Sequence, residues 1–299
     1  MAKSKTKRTP TVESQPSLPL VSTPTQSAKV SKNIVVIADL HIGCQLGLCH
    51  PDGARLDNGG KYAPSEVQGK TWEIWTNYWK WVHDIVKKED FDVVINGDVI
   101  DGSHHGSTHQ WSHNLEDQAE HAYKILLPIR RRAKRMWIVR GTPVHSGESG
   151  VDEERLAKRL ACEQSKSGQY ARNDLWLDLE GDLIHFAHHI GTTSSSAHET
   201  SALNAEIAAL FTGSGRWGMT PPTMIVRSHR HLSSEIRLPS SRTYTIAFVT
   251  APWQLPTPFA FKTMGGRTAT PQIGGSLIRK GDQDLYTRHF VHPIDRVLG

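Results

Sequence analysis

Aspartate and histidine side chains follow five short apolar runs of this sequence, each run being a candidate β-strand. In chain order the polar residues are Asp39 and His41, then Asp98 and Asp101, then His145, then His188 and His189, and finally His229 and His231. Carboxylate and imidazole groups are good ligands for first-row divalent metals such as Mn, Fe, Co and Zn. These residue types at these places predict a metal site.

Spacing within the motifs supports the same chemistry. In "DLH", which contains Asp39 and His41, and in "HRH", which contains His229 and His231, the two side chains are two residues apart. Side chains at this spacing point the same way from an extended backbone, so each motif can direct two ligands at one place. One such motif alone fits a hydrogen-bonded polar loop equally well, whereas the ordered set of five indicates a shared site.

The elements that must position these residues alternate along the chain. The apolar runs 33–39, 91–97, 136–141, 182–189 and 223–229 predict strands, and the segments 63–88, 114–127, 151–164 and 198–211 predict helices. Alternation of this kind predicts an α/β fold with a largely parallel sheet. Sites in such sheets lie beyond the carboxyl ends of the strands, where all five motifs fall.

Two helices carry finer predictions. Ser65 and Gln68 have the spacing of a capping box, and the tryptophans that follow at helical intervals predict a face packed on the sheet. Pro128 predicts an end or a bend of the second helix.

Composition narrows the class of protein. The chain has 299 residues, 37% hydrophobic and 22% charged, with a net charge of +5 and 17 histidines. Three cysteines make no disulfide framework, which predicts a reducing, cytoplasmic location. No apolar run approaches a membrane span, and the sequence specifies no oligomeric state. Residues 1–31 predict a disordered basic tail, and residues 32–299 predict a single catalytic domain.

The ordered motifs resemble those of the calcineurin-like metallophosphoesterases over about residues 33–235. That resemblance implies a four-layer α/β fold, a central β-sandwich flanked by helices, with two divalent metal ions at the strand ends. We expect manganese, with Fe, Zn, Co and Ni as alternatives. The implied ligands are Asp39, His41 and His231 for one metal, Asp98 for both, and His188 and His229 for the second, with Asp101 as a supporting carboxylate.

Departures from the family pattern concentrate in the third motif, which reads "GTPVH" where the family carries Gly-Asn-His. Thr142 stands in place of the asparagine ligand, so the second metal is weaker, completed by water, or bound by His145 instead. Our preferred interpretation places His145 near the scissile phosphate, as an acid or a phosphate contact. In the fourth motif we prefer His188 as the ligand over His189, which would contact substrate.

The predicted reaction is phosphoester hydrolysis by a metal-bridging hydroxide. Gly102 replaces the arginine that follows this motif in the Ser/Thr protein phosphatases, which disfavours that branch. The basic run 130–135 and the basic tail favour a phosphodiesterase acting on nucleic acid, DNA or RNA, or on nucleotides. The alternatives are a phosphomonoesterase and a catalytically weak, metal-bound nucleic-acid-binding module. The same basic run can also be an ordinary solvated helix face.

Overall fold

The structure is a computed structural model that describes residues 30–104, 106–147, 149–191, 198–241, 243–258, 260 and 270–295. Of the predicted basic tail it describes only Val30 and Ser31, so that prediction lies outside the described residues.

Two sheets form the centre of the fold. Their strands are β1 (Asn33–Ile37), β4 (Asp92–Asn96), β5 (Met136–Val139), β6 (Ala171–Arg172), β7 (Asp174–Leu179), β8 (Asp182–Ala187), β9 (Met224–Arg227), β10 (Ser234–Pro239), β11 (Tyr244–Val249), β12 (Gln272–Lys280) and β13 (Leu285–Pro293), with a short separate pair, β2 (Ala54–Arg55) and β3 (Lys61–Tyr62). One sheet has the order β13-β12-β1-β4-β5-β6 and the other β10-β11-β9-β8-β7. Strands β1, β4, β5 and β6 run parallel, as do β8, β9 and β11, and the remaining strands of both sheets add antiparallel edges.

Helices cover the outer face of each sheet. They are α1 (Glu66–Val86), α2 (Leu115–Arg132), α3 (Pro143–Ser146), α4 (Val151–Arg159) and α5 (Ser201–Trp217). Val35 and Ile37 of β1 pack against residues of α1, α2 and α4, whereas Ile34 and Val36 of the same strand face the second sheet. Helix α5 packs on the far side of that second sheet. The predicted four-layer fold, a β-sandwich flanked by helices, is confirmed.

Helix α1 shows how the sequence specifies its packing. The Ser65 side chain accepts a hydrogen bond from the Gln68 amide, and the Gln68 side-chain oxygen accepts one from the Ser65 amide, which completes the predicted capping box. Trp75, Val82 and Val86 are buried against the six-stranded sheet. Burying an apolar side chain of this size stabilises the fold by roughly 1.5–3 kcal/mol, so the tryptophan stripe belongs to the core, as predicted.

The structure differs from the sequence prediction at the end of α2 and at one additional strand. Pro128 does not end α2, which continues to Arg132, because its ring is exposed while the neighbouring Leu126 and Ile129 stay buried on the sheet. Strand β7 was not predicted. It forms a hairpin with β8 through Glu180 and Gly181, both at positive φ, as the two-residue turns of hairpins require.

The carboxyl ends of β1, β4 and β5 in one sheet and of β8 and β9 in the other lie along the same rim of the sandwich. Two hydrogen bonds span the sheets there: the Asn96 side chain donates to the Ala187 carbonyl at 3.1 Å, and the His229 amide donates to an Asp39 carboxylate oxygen at 3.3 Å. The predicted site is therefore assembled from both sheets. Among the described helices, none combines the length and apolar character that crossing a membrane requires.

Candidate metal centre

The predicted ligands converge at this rim. Their nitrogen and oxygen atoms form overlapping groups whose members lie within 4.8 Å of one another: Asp39 with His41 and His231, Asp39 with Asp98 and His188, His188 with His189 and His229, and His41 with Asp101 and His145. Side chains as distant in the chain as Asp39 and His231 thus share one site.

The first candidate metal position lies among Asp39, His41 and His231. His41 Nε2 is 3.3 Å from His231 Nε2, and His231 Nε2 is 3.2 Å from Asp39 Oδ1. Asp39 is fully buried, and the His231 ring nitrogen lies beside its Oδ1. A buried carboxylate oxygen beside two converging ring nitrogens fits a divalent cation.

The second position lies among Asp98, Thr142, His188 and His229. Asp98 Oδ2 is 2.9 Å from His188 Nε2, 4.0 Å from His229 Nδ1 and 3.9 Å from His41 Nε2, so this one oxygen faces both positions. The Thr142 hydroxyl is 3.4 Å from His188 Nε2 and 3.2 Å from His229 Nδ1. Thr142, rather than His145, therefore lies where an additional ligand would be needed.

Backbone strain is concentrated at the same residues. Eight described residues other than glycine have positive φ, and five of them are predicted ligands: Asp39, His41, Asp98, His229 and His231. Such conformations cost of order 1–3 kcal/mol each and persist at functional sites, where the surrounding structure enforces them.

Two glycines make room for the ligands. A Cβ on Gly97 would lie 2.2 Å from His188 Nδ1, and a Cβ on Gly141 would lie 2.0 Å from Asp98 Oδ1. Any side chain at either position would displace a ligand, which explains the glycines that open the second and third motifs.

A second layer of hydrogen bonds orients the ligands. His188 Nδ1 donates to the Asn96 carbonyl at 2.7 Å, which directs Nε2 towards Asp98. His41 Nδ1 lies 3.1 Å from Asp101 Oδ1, and Asp101 is in turn held by side-chain amides of Gln110 and Gln254. Such partners fix the ring orientation of metal-binding histidines. Asp101 has the placement of the predicted supporting carboxylate.

The charges within the cluster are strongly coupled. Burial alone would raise the pKa of Asp98 and lower that of His188. Because the two groups stabilise each other's charged forms, the pKa of Asp98 lies well below its usual range and that of His188 rises to about 10. The site therefore stabilises an ionised carboxylate next to a positive charge.

His145 lies on the side of the first position. Its ring is 4.5 Å from the rings of both His41 and His104, and its Nδ1 donates to the Asp101 carbonyl at 2.6 Å. Burial and the charge of His41 lower the pKa of His145 to about 4. The ring is therefore neutral at pH 7, and Nε2 is the nitrogen left to accept a proton.

The fourth motif brings two histidines to the rim. His188 is buried against Asp98, whereas His189 is exposed with its ring 4.8 Å from that of His229, and all three histidines belong to one group of ligand atoms. His185 lies outside the cluster, stacked on Trp176 and bonded to Arg227. The preference for His188 as the ligand stays a prediction, which its contact with Asp98 supports.

A cavity of about 590 Å³ opens over the metal positions. One wall carries Arg230 and Leu232, and another carries His104 and the segment 106–109. Gln254 and Pro256, in the loop after β11, complete it. No sequence motif marks the lining residues after β11, because they reach the site only through sheet pairing.

Comparison with known proteins defines the class. Residues 32–141 match the model of the calcineurin-like phosphoesterase family. No curated protein matches the sequence. The protein is a metal-dependent phosphoester hydrolase. The matched region, which carries the first two motifs and ends at Gly141, belongs to the calcineurin-like phosphoesterases, and the resemblance seen in the motifs is confirmed.

Solved structures with a similar chain path include vacuolar protein sorting 29 from Cryptosporidium parvum, at 8% identity and a TM-score of 0.37, covering 89% of this chain and 100% of that one. A Thermotoga maritima protein has 10% identity and a TM-score of 0.34, covering 88% and 99%. A metallophosphoesterase from Sphaerobacter thermophilus has 11% identity and a TM-score of 0.38, covering 88% of each chain. At these TM-scores the likenesses add nothing to the assignment.

Proposed function

We propose that the protein is a phosphodiesterase with a dinuclear manganese site, acting on nucleotides or nucleic acid. The observation that supports the hydrolytic site is the convergence on Asp98 of ligand atoms from the ends of β1, β8 and β9. In this proposal Asp39, His41 and His231 hold one metal, His188 and His229 hold the other, and Asp98 binds both. The family binds a dinuclear divalent centre, and the choice of manganese rests on the mixed carboxylate and imidazole ligands.

Preference for a diester is supported by the charge of the cavity. Arg230 is the only arginine or lysine among the described lining residues, and its guanidinium also donates to the Glu199 carbonyl at 3.2 Å. A phosphate monoester brings a second negative charge that this lining neutralises poorly, whereas a diester carries one. The cavity also has apolar surface, at Leu232 and Pro256, for a second ester group.

The placement of the basic run 130–135 favours nucleotides or strand ends over long duplexes. Helix α2 begins beside the site, where the Gln118 side chain donates to the Gly102 carbonyl, and ends at Arg132. At 1.5 Å per residue its 18 residues span roughly 27 Å, so the run lies far from the cavity. Arg130 also donates hydrogen bonds to the carbonyls of Leu160 and Ala161.

Bound by the Asp39, His41 and His231 group and by the Asp98, His188 and His229 group, two divalent metal ions would supply an activated water as the nucleophile and would neutralise charge on the phosphoryl oxygens. We propose that Asp101 holds His41 in the orientation required of a ligand. His145, with Nδ1 bonded to the Asp101 carbonyl, takes up at Nε2 a proton that the attacking water loses and donates it to the leaving oxygen as the phosphorus–oxygen bond breaks. A general acid positioned in this way typically increases the reaction rate by about 10²–10⁴-fold.

The single catalytic domain over residues 32–299 and the cytoplasmic location remain proposals. The three cysteines, Cys44, Cys49 and Cys162, are buried and unpaired, in agreement with a reducing compartment.

The test is a manganese-dependent screen of an aryl diester, the matching aryl monoester, cyclic nucleotides, and single- and double-stranded DNA, with Asp98→Asn as the inactive control. We expect the diester to be hydrolysed at least about tenfold faster than the monoester, a difference of about 1.4 kcal/mol in the barrier. Faster hydrolysis of the monoester would contradict the diester assignment. Salt-dependent DNA binding without turnover of any substrate would instead indicate the binding module.

A further inference from the structure

Glu153, in the first turn of α4, is a buried carboxylate behind the metal centre. Its side chain is 1% exposed, and no lysine, arginine or histidine of the described residues forms an ion pair with it. Burying a charge without a cation is costly, and burial together with the charge of Asp98 raises the pKa of Glu153 to about 7. A residue at this place for packing alone would be apolar.

Both oxygens of Glu153 accept backbone hydrogen bonds, and the two donors belong to different loops of the site. Oε2 accepts from the Gly141 amide at 2.9 Å, and Oε1 accepts from the Val99 amide at 3.3 Å. Val99 directly follows Asp98, and Gly141 directly precedes Thr142. One side chain therefore ties the second motif to the third.

This link through Glu153 determines the position of Thr142. The Thr142 amide donates to Asp98 Oδ1 at 2.6 Å, and its hydroxyl donates to Asp98 Oδ2 at 3.2 Å while facing His188 and His229. Gly141 has no side chain that could hold this turn, so its amide is the group through which the turn is anchored.

We propose that Glu153 is a positioning residue for the second metal position, where it holds the Thr142 hydroxyl among Asp98, His188 and His229. The inference rests on the proposed dinuclear function. It explains how this chain completes the second position with a threonine. The threonine side chain is short, so its hydroxyl reaches the position only because Glu153 holds the backbone at Gly141 close to the metal centre.

The neighbouring Glu154 provides a matched control. It also accepts two backbone hydrogen bonds, from the Tyr170 and Ala171 amides at 2.8 Å each, and it lies on the same helical turn. Those amides belong to Tyr170 and to the first residue of β6, away from the metal centre. Replacing Glu154 removes the same kind of hydrogen bond, together with an ion pair to Arg140, but leaves the hydrogen bonds of Gly141 and Thr142 in place.

The experiment measures manganese binding to the full chain by calorimetric titration for wild type, Glu153→Ala, Glu153→Gln and Glu154→Gln. Glutamine keeps one acceptor oxygen but presents an NH₂ group to the second amide, so it tests the tie without removing the side chain. We expect the weaker of two manganese sites to lose about 10–100-fold in affinity in both Glu153 variants, with the tighter site unchanged. Glu154→Gln should bind as wild type does, and excess manganese should restore the turnover of Glu153→Gln.

The outcomes separate the two proposals. Two sites in the wild type, with unchanged affinities in both Glu153 variants or an equal loss in Glu154→Gln, would overturn the role of Glu153 and leave the dinuclear function intact. A single manganese site in the wild type would overturn both. If Glu153→Ala fails to fold, Glu153→Gln alone decides.

Discussion

Two networks of histidine and carboxylate among the described residues, one buried and the other half-buried, differ in how their polar atoms are hydrogen-bonded. One is the metal centre. The other, the edge network, consists of Glu235, Thr250, Ser276, Thr287 and His289 and joins β10 to β13 and β12. There the Ser276 hydroxyl lies 2.9 Å from His289 Nδ1, and His289 Nε2 lies 2.8 Å from Glu235. Thr287 donates to Glu235, and Thr250 lies 3.0 Å from Ser276.

The edge network pairs its side-chain polar atoms within the chain, and none of its residues has positive φ. The metal centre, by contrast, has ligands in strained backbone conformations, and the ring nitrogens of His41 and His231 face each other beside the buried Asp39 carboxylate. Histidine and carboxylate composition alone therefore does not identify a functional site. Backbone strain and converging ligand atoms together distinguish the metal centre from a structural network.

Metal removal should produce the largest effect. Chelation should abolish hydrolysis of an aryl diester, and added manganese should restore it, because the ligands of the metal centre act only through bound metal. Metal affinity should fall as the pH is lowered, since protons compete for the imidazole and carboxylate ligands. If the chelated protein hydrolysed the diester at the full rate, the metal centre would not be the catalytic site, and its contrast with the edge network would have no functional meaning.

The second-largest loss of activity should result from the Asp98→Asn substitution. The substitution weakens the group that faces both metal positions, and we expect diester turnover to fall by about 10³-fold, about 4 kcal/mol in the barrier. Far-ultraviolet circular dichroism should show an unchanged fold. Glu235→Gln, the equivalent change in the edge network, serves as the control and should keep wild-type turnover. Equal activity losses in the two variants would show that the comparison is wrong.

The edge network should affect stability instead. Glu235→Gln should lower the free energy of unfolding by about 1–3 kcal/mol, measured by urea denaturation at pH 7. Burial would raise the pKa of Glu235, but hydrogen bonds from His289, Thr287 and Arg237 lower it to about 2. A lowered carboxyl pKa stabilises the fold above the usual glutamate range, and this stabilisation is lost as the pH falls from about 4.5 towards 2.

The difference in stability between the wild type and Glu235→Gln should therefore shrink over that acidic range. A difference that stays constant from pH 7 to pH 2 would argue that the charge of Glu235 contributes nothing to the network.

The smallest effect concerns the basic run 130–135. The double substitution of Arg131 and Arg132, both exposed at the far end of α2, with alanine should change kcat/KM for an aryl diester by less than about twofold. Charges separated by more than a Debye length of about 8–10 Å interact weakly in physiological salt. A tenfold loss on this small substrate would place the run much nearer to the chemistry than the fold does.

Much of the site could be predicted from the sequence, because each ligand follows an apolar run that encodes a strand and parallel strands bring their ends to one rim. His188 and His229 could be named for that reason although they lie outside the matched family region. Strand β7 was missed, since its alternating leucines stand close to β8 and the Glu180–Gly181 turn was not recognised.

The roles of Glu153 and Gln254 could not be predicted. Their contacts depend on backbone amides and loops that meet only after both sheets have formed, and no local pattern records such contacts. For the third motif the sequence left open whether Thr142 or His145 completes the second position, and the Thr142 hydroxyl is the group that lies there.

The most direct test is an anomalous diffraction measurement at the manganese edge on crystals of the protein soaked with manganese. The account predicts two peaks roughly 3.5–4 Å apart, one contacting Asp39, His41 and His231, the other contacting His188 and His229, with Asp98 between them. A single peak, or peaks that do not contact Asp98, would contradict it.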